Sequence, residues 1–587
     1  MFLQINTKTK KIIKPLFKSY LKFFPNKNIN IKDKNFSYNN KANSHFFFKR
    51  KTNSKKTQLI NYNIISKQIF SEIGKKTFQG LHPDVKKLYP TACSWVPYFE
   101  NQSNLVFTNF LSTHYGLNNP QIVLLRYEAF NQNKLIEKYK TLIVLPEQTI
   151  WLNENFVSED EITFFSKGKL FLYLFDPLFR PSNSQIRYHV IFEKNSIPTC
   201  GVHSWVSHND ELVIKHKEFL SRRYMCNGET KKNYFMVPPF GNIVKCLSSK
   251  NDIKILENDD ESLLRLPHEL KPETSTQRGG FFVKLDNENI ISRIWHDNGT
   301  GQNYPVTKNN SKNIVKESDF CFPSEGYYFN LIIPNPVGKN LVIEKKLKVS
   351  AYDVNSEKLF LEKKINENDI IKPNGSLFAF EINLKNFFKE LNSSLSDEFK
   401  KKNKFVRINM QFETSNFNES EEKDEFTSYL YMFDKNDNIC DQIHNEWSKS
   451  SILGGKKFGS YRTNKFGPFK IQQNCDSFII LKNRFNINQN EEKLKIHRLR
   501  ITINYTNEND GEKKYHNKTK YLNFDVKNKF LILNVRDIFF KNDKDSDVIT
   551  GGLHIFCSTI NSWGYWMIKS KDNIGREFLA CDHLTGG

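Results

Sequence analysis

Phe192-Glu-Lys-Asn-Ser-Ile197, followed by His203, is the stretch from which the fold of this chain can be predicted. An aromatic and β-branched arm runs into a polar turn, and a second arm ends at a histidine. The pattern recurs three times: Leu285 to His296, Phe433 to His444 and, more loosely, Ile568 to His583. In the first three copies the distance is eleven positions, from 192 to 203, from 285 to 296 and from 433 to 444. Such arms suit a half-buried pleated surface, and Asn, Asp and Ser tolerate turn dihedrals, so each copy predicts a β-hairpin.

The segments upstream of the hairpins are also alike. Each hairpin follows an opening apolar strand: residues 104–110, 234–240, 328–335 and 477–483. Three copies carry a strand centred on tyrosine: residues 124–128, 347–353 and 499–505. A further segment, residues 378–389, matches residues 530–541. Repeats of this length indicate small domains and not short solenoid turns.

Short alternating strands separated by polar turns predict a mainly β chain of tandem antiparallel β-sandwich units. We expect about four related repeats, the second shortened, behind a flexible basic N-terminal arm. The predicted boundaries are 1–75 for a basic, disordered arm, 76–225 for unit 1 with its lead-in, 226–320 for the shortened unit 2, 321–460 for unit 3 and 461–587 for unit 4. Helices are predicted only at 210–223 and 386–402.

The net charge of +23 lies mostly in the arm. Residues 1–70 contain 16 Lys and Arg and one acidic residue, Asp33, which is +15, so the rest of the chain carries only +8. The arm is therefore a candidate for binding a polyanion or an anionic surface, and a disordered tail, an organellar targeting segment and a membrane-surface anchor all remain open. No apolar run reaches the eighteen or so residues of a membrane span, so no transmembrane segment is predicted.

The nine cysteines contain no Cys-x-x-Cys pair. An odd, irregular set argues against a disulfide framework and favours a reducing compartment. The expected location is cytoplasmic or peripheral to a membrane, with organellar targeting by the arm as the alternative.

The histidines that end the hairpins are the main candidate functional residues. Polar loops at hairpin ends often display functional side chains. The candidate ligand-binding residues are His203, Trp205, Trp295, His296, Asp297, His444, Trp447 and His583. A residue that recurs in every unit more often has a repeated structural role, such as a ring nitrogen bonded to a backbone carbonyl, so a structural interpretation is favoured over ligand contact.

Three of the histidines follow a cysteine: Cys200, Cys440 and Cys581. The spacing from cysteine to histidine differs in each copy and His296 has none, which argues against a zinc site. The sequence therefore predicts no metal and no cofactor. It also contains no nucleophile elbow, P-loop or dinucleotide fingerprint.

These features favour a non-catalytic binding or scaffold protein, with a glycan as the first candidate ligand because exposed Trp or Tyr can stack on sugar rings. The first alternative is an enzyme that acts on a saccharide or similar polar substrate, using a histidine with Asp297 or Glu446. The second alternative is nucleic-acid or anionic-membrane binding through the arm. The sequence does not indicate an oligomeric state.

Overall fold

The computed structural model confirms a mainly β chain built from antiparallel sheets. It describes residues 36–38, 47–51, 57–61, 79–82, 85–87, 92–99, 103–109, 120–131, 134–145, 148–153, 167–175, 188–204, 234–236, 243–248, 263–265, 281–285, 290–294, 296–297, 314–334, 347–354, 356, 358–365, 370–371, 379–402, 404–414, 427–446, 448–449, 463–483, 496–508, 514–525, 528–541, 547–557 and 562–586. Among these residues, no helix has both the length and the apolar character needed to cross a membrane.

Part of the basic arm forms a three-stranded sheet of β1 (Phe36–Tyr38), β2 (Phe47–Lys51) and β3 (Thr57–Asn61). The strands β4 (Gln79–His82) and β5 (Val85–Lys87) pair beyond it. The rest of 1–75 lies outside the described residues, so the flexibility of the arm stays a prediction.

Unit 1 consists of two four-stranded sheets. Its strands are β6 (Ala92–Phe99), β7 (Ser103–Thr108), β8 (Gln121–Asn131), β9 (Lys134–Val144), β10 (Thr149–Leu152), β11 (Lys167–Phe175), β12 (Tyr188–Lys194) and β13 (Ile197–Ser204). They form sheets of order β6-β11-β8-β9 and β10-β7-β12-β13.

Unit 2 has two three-stranded sheets, of order β16-β14-β19 and β15-β17-β18. Its strands are β14 (Tyr234–Met236), β15 (Ile243–Ser248), β16 (Leu263–Arg265), β17 (Phe281–Leu285), β18 (Ile290–Ile294) and β19 (His296–Asp297). The helix predicted at 210–223, at the end of unit 1, lies outside the described residues.

Unit 3 has two five-stranded sheets, of order β23-β22-β26-β20-β29 and β24-β25-β21-β27-β28. Its elements are β20 (Ile314–Pro323), β21 (Tyr327–Pro334), β22 (Leu347–Tyr352), β23 (Leu359–Lys364), β24 (Ile370–Ile371), β25 (Ala379–Ile382), α1 (Lys385–Ser394), α2 (Asp397–Lys402), β26 (Phe405–Thr414), β27 (Thr427–Asp434), β28 (Ile439–Glu446) and β29 (Ser448–Lys449). β20 pairs with β26 along its whole length, so all of it belongs to unit 3. The predicted boundary at 320/321 therefore falls inside this strand. The helices α1 and α2 occupy the helical region predicted at 386–402.

Unit 4 has sheets of order β33-β32-β35-β30-β38 and β34-β31-β36-β37. Its elements are β30 (Thr463–Ile471), β31 (Cys475–Asn483), β32 (Ile496–Asn507), β33 (His516–Asp525), β34 (Phe530–Asn534), α3 (Val535–Phe539), β35 (Ile549–Cys557), β36 (Ser562–Lys571), β37 (Glu577–His583) and β38 (Thr585–Gly586).

Units 1, 3 and 4 share one topology. Counted along the chain and without the short strands β24, β29 and β38, their eight strands form sheets of order 1-6-3-4 and 5-2-7-8. We call the 5-2-7-8 sheet the hairpin sheet, because strands 7 and 8 are the hairpin identified in the sequence. Equal strand order is what a repeat requires, and a common origin of the units stays a prediction.

The alternation of buried and exposed side chains explains why these segments form strands. In β32 the even-numbered positions at the start, Ile496 and Arg498, are exposed or nearly so, whereas Leu499, Ile501 and Ile503 are buried in the unit 4 core. This period of two places one face on the core and the other face outward.

The tight turns use residues that accept a left-handed backbone. The hairpin turn of unit 1 has Asn195 and Ser196 at φ values of 52° and 62°, and the corresponding turns of units 3 and 4 place Asp437 and Gly575 there. In units 3 and 4 an aspartate before the turn accepts backbone N–H groups: Asp434 from Asn438 and Asp572 from Arg576. The polar clusters predicted as turns therefore serve that role in all three units.

Candidate functional site

Three of the predicted histidines lie on the last strand of a closing hairpin. His203 is on β13 opposite His189, His444 is on β28 opposite Tyr429, and His583 is on β37 opposite Tyr565. Strand 8 of each hairpin sheet therefore carries one candidate histidine. For His203 and His444 the structure describes the backbone of the strand, and their side chains lie outside the described part of the chain.

The interpretation of His296 as the residue that ends the second arm of a hairpin is wrong. That residue and Asp297 form β19, which pairs with β14 in the other sheet of unit 2, whereas the hairpin β17–β18 pairs with β15. The eleven-position spacing misleads here because β18 is short and ends at Ile294, so the chain has already crossed to the other sheet when it reaches His296. The side chains of His296 and Asp297 lie outside the described residues, as do Trp205, Trp295 and Trp447 entirely.

The last strands of the four hairpins meet one another. We call β13, β18, β28 and β37 the closing strands. β13 contacts β18 and β37, and β28 contacts the same two strands, so the contacts form a closed circuit through all four units. The hairpins of the four units therefore come together, and their closing strands pack against one another as the edges of their sheets.

Asp441 of β28 lies at this meeting point and is fully buried. Its Oδ2 accepts a hydrogen bond from the backbone N–H of Gly201 on β13 at 2.9 Å and from that of Cys581 on β37 at 2.8 Å. Edge strands present backbone N–H groups with no strand partner, and burying such a group without an acceptor is costly. One carboxylate oxygen thus accepts an edge N–H group from each of two other units, and hydrogen bonds to a carboxylate are stronger than those between neutral groups.

The edge of β37 is completed by two further side chains. Leu579 donates its backbone N–H to the Cys440 thiol, and His583 donates its N–H to Asp582 Oδ1 at 2.7 Å. Together with the bond from Cys581, the three alternate N–H groups of residues 579, 581 and 583 find side-chain acceptors along this edge. β37 is therefore closed by polar side chains in the way a neighbouring strand would close it.

His583 is buried beside Trp563, with 4.7 Å between ring centroids. Trp563 also packs against Tyr565, whose ring centroid is 5.5 Å away. The buried ring, packed on tryptophan, has little surface to offer a ligand, and the structural role of the recurrent histidines stays a prediction.

Unit 1 and unit 4 join through Trp566, which is fully buried. Its Nε1–H donates to His189 Nδ1 at 3.2 Å, and the two rings meet edge to face at 87°. The far end of the indole lies on Gly201, where a Cβ would come within 2.2 Å of the ring. Because the indole N–H needs an acceptor in a buried site, His189 is held as the neutral tautomer with hydrogen on Nε2.

A buried ion pair lies at the same junction. Lys470 Nζ of unit 4 contacts Glu193 Oε1 of unit 1 at 2.8 Å and also donates to the Ser196 carbonyl at 2.8 Å. The side chains of Lys470 and Glu193 are 4% and 9% exposed. Ser570 adds a bond from its hydroxyl to the Pro198 carbonyl at 2.7 Å.

Unit 3 and unit 4 join through Tyr565 and Tyr327. The Tyr565 hydroxyl bonds both backbone groups of Cys321, and its ring stacks on Phe320 with 4.5 Å between centroids. Tyr327 donates its hydroxyl to the Phe578 carbonyl at 3.1 Å. These residues belong to one apolar core that continues from unit 3 into the hairpin sheet of unit 4.

The cysteines near the closing strands are poor nucleophiles. Burial raises the pKa of the Cys440 thiol, and the nearby Asp434 and Asp441 carboxylates raise it further. Burial also raises the pKa of Cys581, again with Asp441 and then Asp582 adding to the effect. A thiol reacts or ligates a metal as the thiolate, so both groups stay protonated and unreactive here.

Within the described ranges, no group of three His, Cys, Asp or Glu residues is arranged to hold a metal ion. What the arrangement does chemically is satisfy buried backbone and indole hydrogen-bond donors between units. The sequence reasoning missed the residues that do so, Asp441, Trp566, Tyr565 and His189. The available signal was that Asp441 stands between Ile439 and Ile443 on alternate positions of a strand, where an apolar residue is expected.

Comparisons with known proteins do not identify the chain. No protein family and no curated protein matches it. Among solved structures it is similar in part to the CupB6 tip adhesin from Pseudomonas aeruginosa, with 8% identity over 47% of this chain and 92% of that chain and a TM-score of 0.12. A likeness at that level carries no argument about fold or function.

Proposed function

We propose that the chain is a non-catalytic scaffold or binding protein whose β-sandwich units act as one rigid body. The observation that carries this proposal is the position of Asp441, whose carboxylate on unit 3 joins the closing strands of units 1 and 4. Trp566 with His189 and Lys470 with Glu193 strengthen the junction between units 1 and 4, and Tyr565 strengthens that between units 3 and 4.

Interfaces of this kind distinguish a rigid assembly from flexibly linked domains. Inter-domain contacts within a chain are usually polar and permit relative motion unless they are large and apolar. Here they bury an indole, an ion pair and backbone edge groups together, and truncating any one of them leaves polar groups unsatisfied. A body of that kind presents its outer strands and loops at fixed positions.

Replacement of Asp441 tests the proposal. We expect the full chain to unfold in one main calorimetric transition, and Asp441→Leu to split or lower it, because two buried N–H groups lose their acceptor. Asp441→Asn should lower the transition less than Asp441→Leu does, since an amide oxygen still accepts hydrogen bonds from the two N–H groups. Hydrogen exchange should then show loss of protection at both Gly201 and Cys581 in Asp441→Leu.

The proposal fails if the wild-type units melt independently or if Asp441→Leu leaves both amides protected. Glu362→Leu is a matched control, because that carboxylate lies on the surface of unit 3 and pairs only within the unit. It should leave exchange at the closing strands unchanged.

A glycan remains the proposed ligand class, with Trp205, Trp295 and Trp447 as the aromatic residues that would stack on sugar rings. A glycan array with the full chain, compared with Trp205→Ala and Trp447→Ala, tests it. Retained glycan binding in both variants would move the ligand site away from the hairpin ends, and absence of any binding would remove carbohydrate from the proposal.

A further inference from the structure

The outer edge of unit 4 differs from the closed edges at the centre. β33 ends its sheet, and its outward residues Asn517, Thr519, Tyr521 and Asn523 are all exposed. Tyr521 is 54% exposed and Ile496, at the start of the neighbouring β32, is 54% exposed. Among the described strands only β32 pairs with β33, so this long edge presents a row of backbone groups, with Tyr521 and Ile496 exposed beside it.

Lysines usually protect such an edge, but here they are turned away from it. Lys518 Nζ donates to the Phe539 carbonyl at 3.2 Å and lies 4.4 Å from the centroid of the Phe540 ring. Lys520 donates in the same way to the Ile538 carbonyl. Both ammonium groups serve the carboxyl end of α3, which a positive charge stabilises, so neither extends over the open edge.

The outer face beside β33 is positively charged. Arg500 lies directly opposite Tyr521 in the register, and Arg498 lies over the Tyr521 ring with 4.3 Å to its centroid. The outward face of β32 and β33 carries two basic residues, Arg498 and Arg500, and one acidic residue, Asp525, whereas Lys518 and Lys520 lie on the opposite face. Unit 1 contacts β32 at the other end of the strand, where Thr149 N–H donates to Asn504.

We propose that β33 is a docking edge for an extended acidic peptide segment, which adds to the sheet as a strand and places carboxylates beside Arg498 and Arg500. Backbone hydrogen bonds to an open edge supply affinity, and side chains on alternate positions supply specificity. A second copy of the chain fits less well, because antiparallel pairing of β33 with itself would bring like charges together. The proposal deepens the scaffold function by naming a partner class for its outer surface.

The test uses the full chain and a fluorescein-labelled ten-residue peptide that alternates Glu and Thr. We expect saturable binding in fluorescence anisotropy and new hydrogen-exchange protection confined to 516–525. A second peptide has the same sequence but is methylated on alternate backbone nitrogens, those that would donate hydrogen bonds to β33. This peptide should bind at least ten-fold more weakly. The variant with Arg498→Glu should lose binding to a similar extent.

Leu359→Glu provides the matched control, since Leu359 is 47% exposed on β23, which holds the same position in unit 3. The charges there are already paired, Lys348 with Glu362 and Lys363 with Glu390. That variant should bind the peptide as the wild type does.

Three results would overturn the proposal. One is equal binding of the N-methylated peptide and of heparin, which would indicate a polyanion site without strand addition. Another is self-association of the chain that Thr519→Pro abolishes, which would assign the edge to a second copy. The third is no peptide binding while the Asp441 experiment supports one rigid body, which would remove the docking edge and leave the scaffold proposal intact.

Discussion

The hydroxyl of Tyr565 bonds both backbone groups of Cys321, donating to its carbonyl at 2.8 Å and accepting from its N–H at 2.6 Å. Cys321 lies on β20, with which the two described residues of β29 pair at Lys316 and Glu317. Further along β20, Tyr565 from another unit bonds the outward backbone groups as a neighbouring strand would. Side chains of one unit thus close the sheet edges of the next, as Asp441 does at the closing strands.

Removal of this hydroxyl should destabilise the junction of units 3 and 4. We expect Tyr565→Phe to lower the free energy of unfolding by about 1–3 kcal/mol, because it leaves a buried N–H and a buried C=O without partners. Urea denaturation followed by tryptophan fluorescence measures the effect. Tyr521→Phe is the control, since Tyr521 is exposed, and equal stability of the two variants would contradict the role assigned to Tyr565.

Gly201 should not tolerate a side chain. A Cβ there would lie 2.2 Å from the Trp566 ring, so Gly201→Ala forces the indole or β13 to move and should destabilise the chain by about 1–3 kcal/mol. Thermal unfolding measures the loss.

A double-mutant cycle identifies the cause of that loss. Trp566→Phe removes the far part of the indole, so Gly201→Ala should cost less in the Trp566→Phe background than in the wild type. Strictly additive effects would show that the glycine is required for another reason.

The ion pair of Lys470 and Glu193 should behave as a buried pair. Lys470→Met or Glu193→Leu alone leaves one charge buried without its partner, with an expected cost of about 3–5 kcal/mol. The double variant should recover most of this loss, because two apolar side chains of similar size replace the pair. A double variant as unstable as the worse single one would argue against this account.

The sequence predicts the elements of the fold well and their assembly poorly. Local patterns are sufficient for the hairpin ending at His583, for the strand around Tyr505 and for the helix that begins at Lys385, because alternation, turn residues and helical spacing act over a few positions. The spacing rule failed at His296, where a shorter strand changes sheets earlier than in the other copies.

The contacts between units could not be predicted in the same way. Asp441 and Gly201 are 240 positions apart, and Trp566 and His189 are 377 apart, so no local pattern relates them. The sequence directed attention to the histidines because they recur. The residues that join the units do not recur, since each interface places different side chains against each other.

His554 should make the stability of unit 4 depend on pH. It is buried against Phe466, with 4.3 Å between ring centroids, and its Nε2–H donates to Asn464 Oδ1 at 2.7 Å. Burial, with a further contribution from the Arg500 guanidinium, lowers its pKa to about 3. In the unfolded chain the pKa is near 6.5, so between pH 6.5 and 3 the unfolded state binds a proton that the folded state does not.

Stability contributed by this neutral histidine is therefore complete above pH 6.5 and decreases as the pH falls, by about 2 kcal/mol at pH 5. His554→Gln keeps a donor for Asn464 but does not titrate, so its unfolding free energy should change less between pH 7 and pH 5 than that of the wild type. Denaturation at a series of pH values measures both slopes, and the carboxylates common to the two proteins cancel in their difference. Parallel slopes would mean that His554 is protonated in the folded chain, in conflict with its burial beside Arg500.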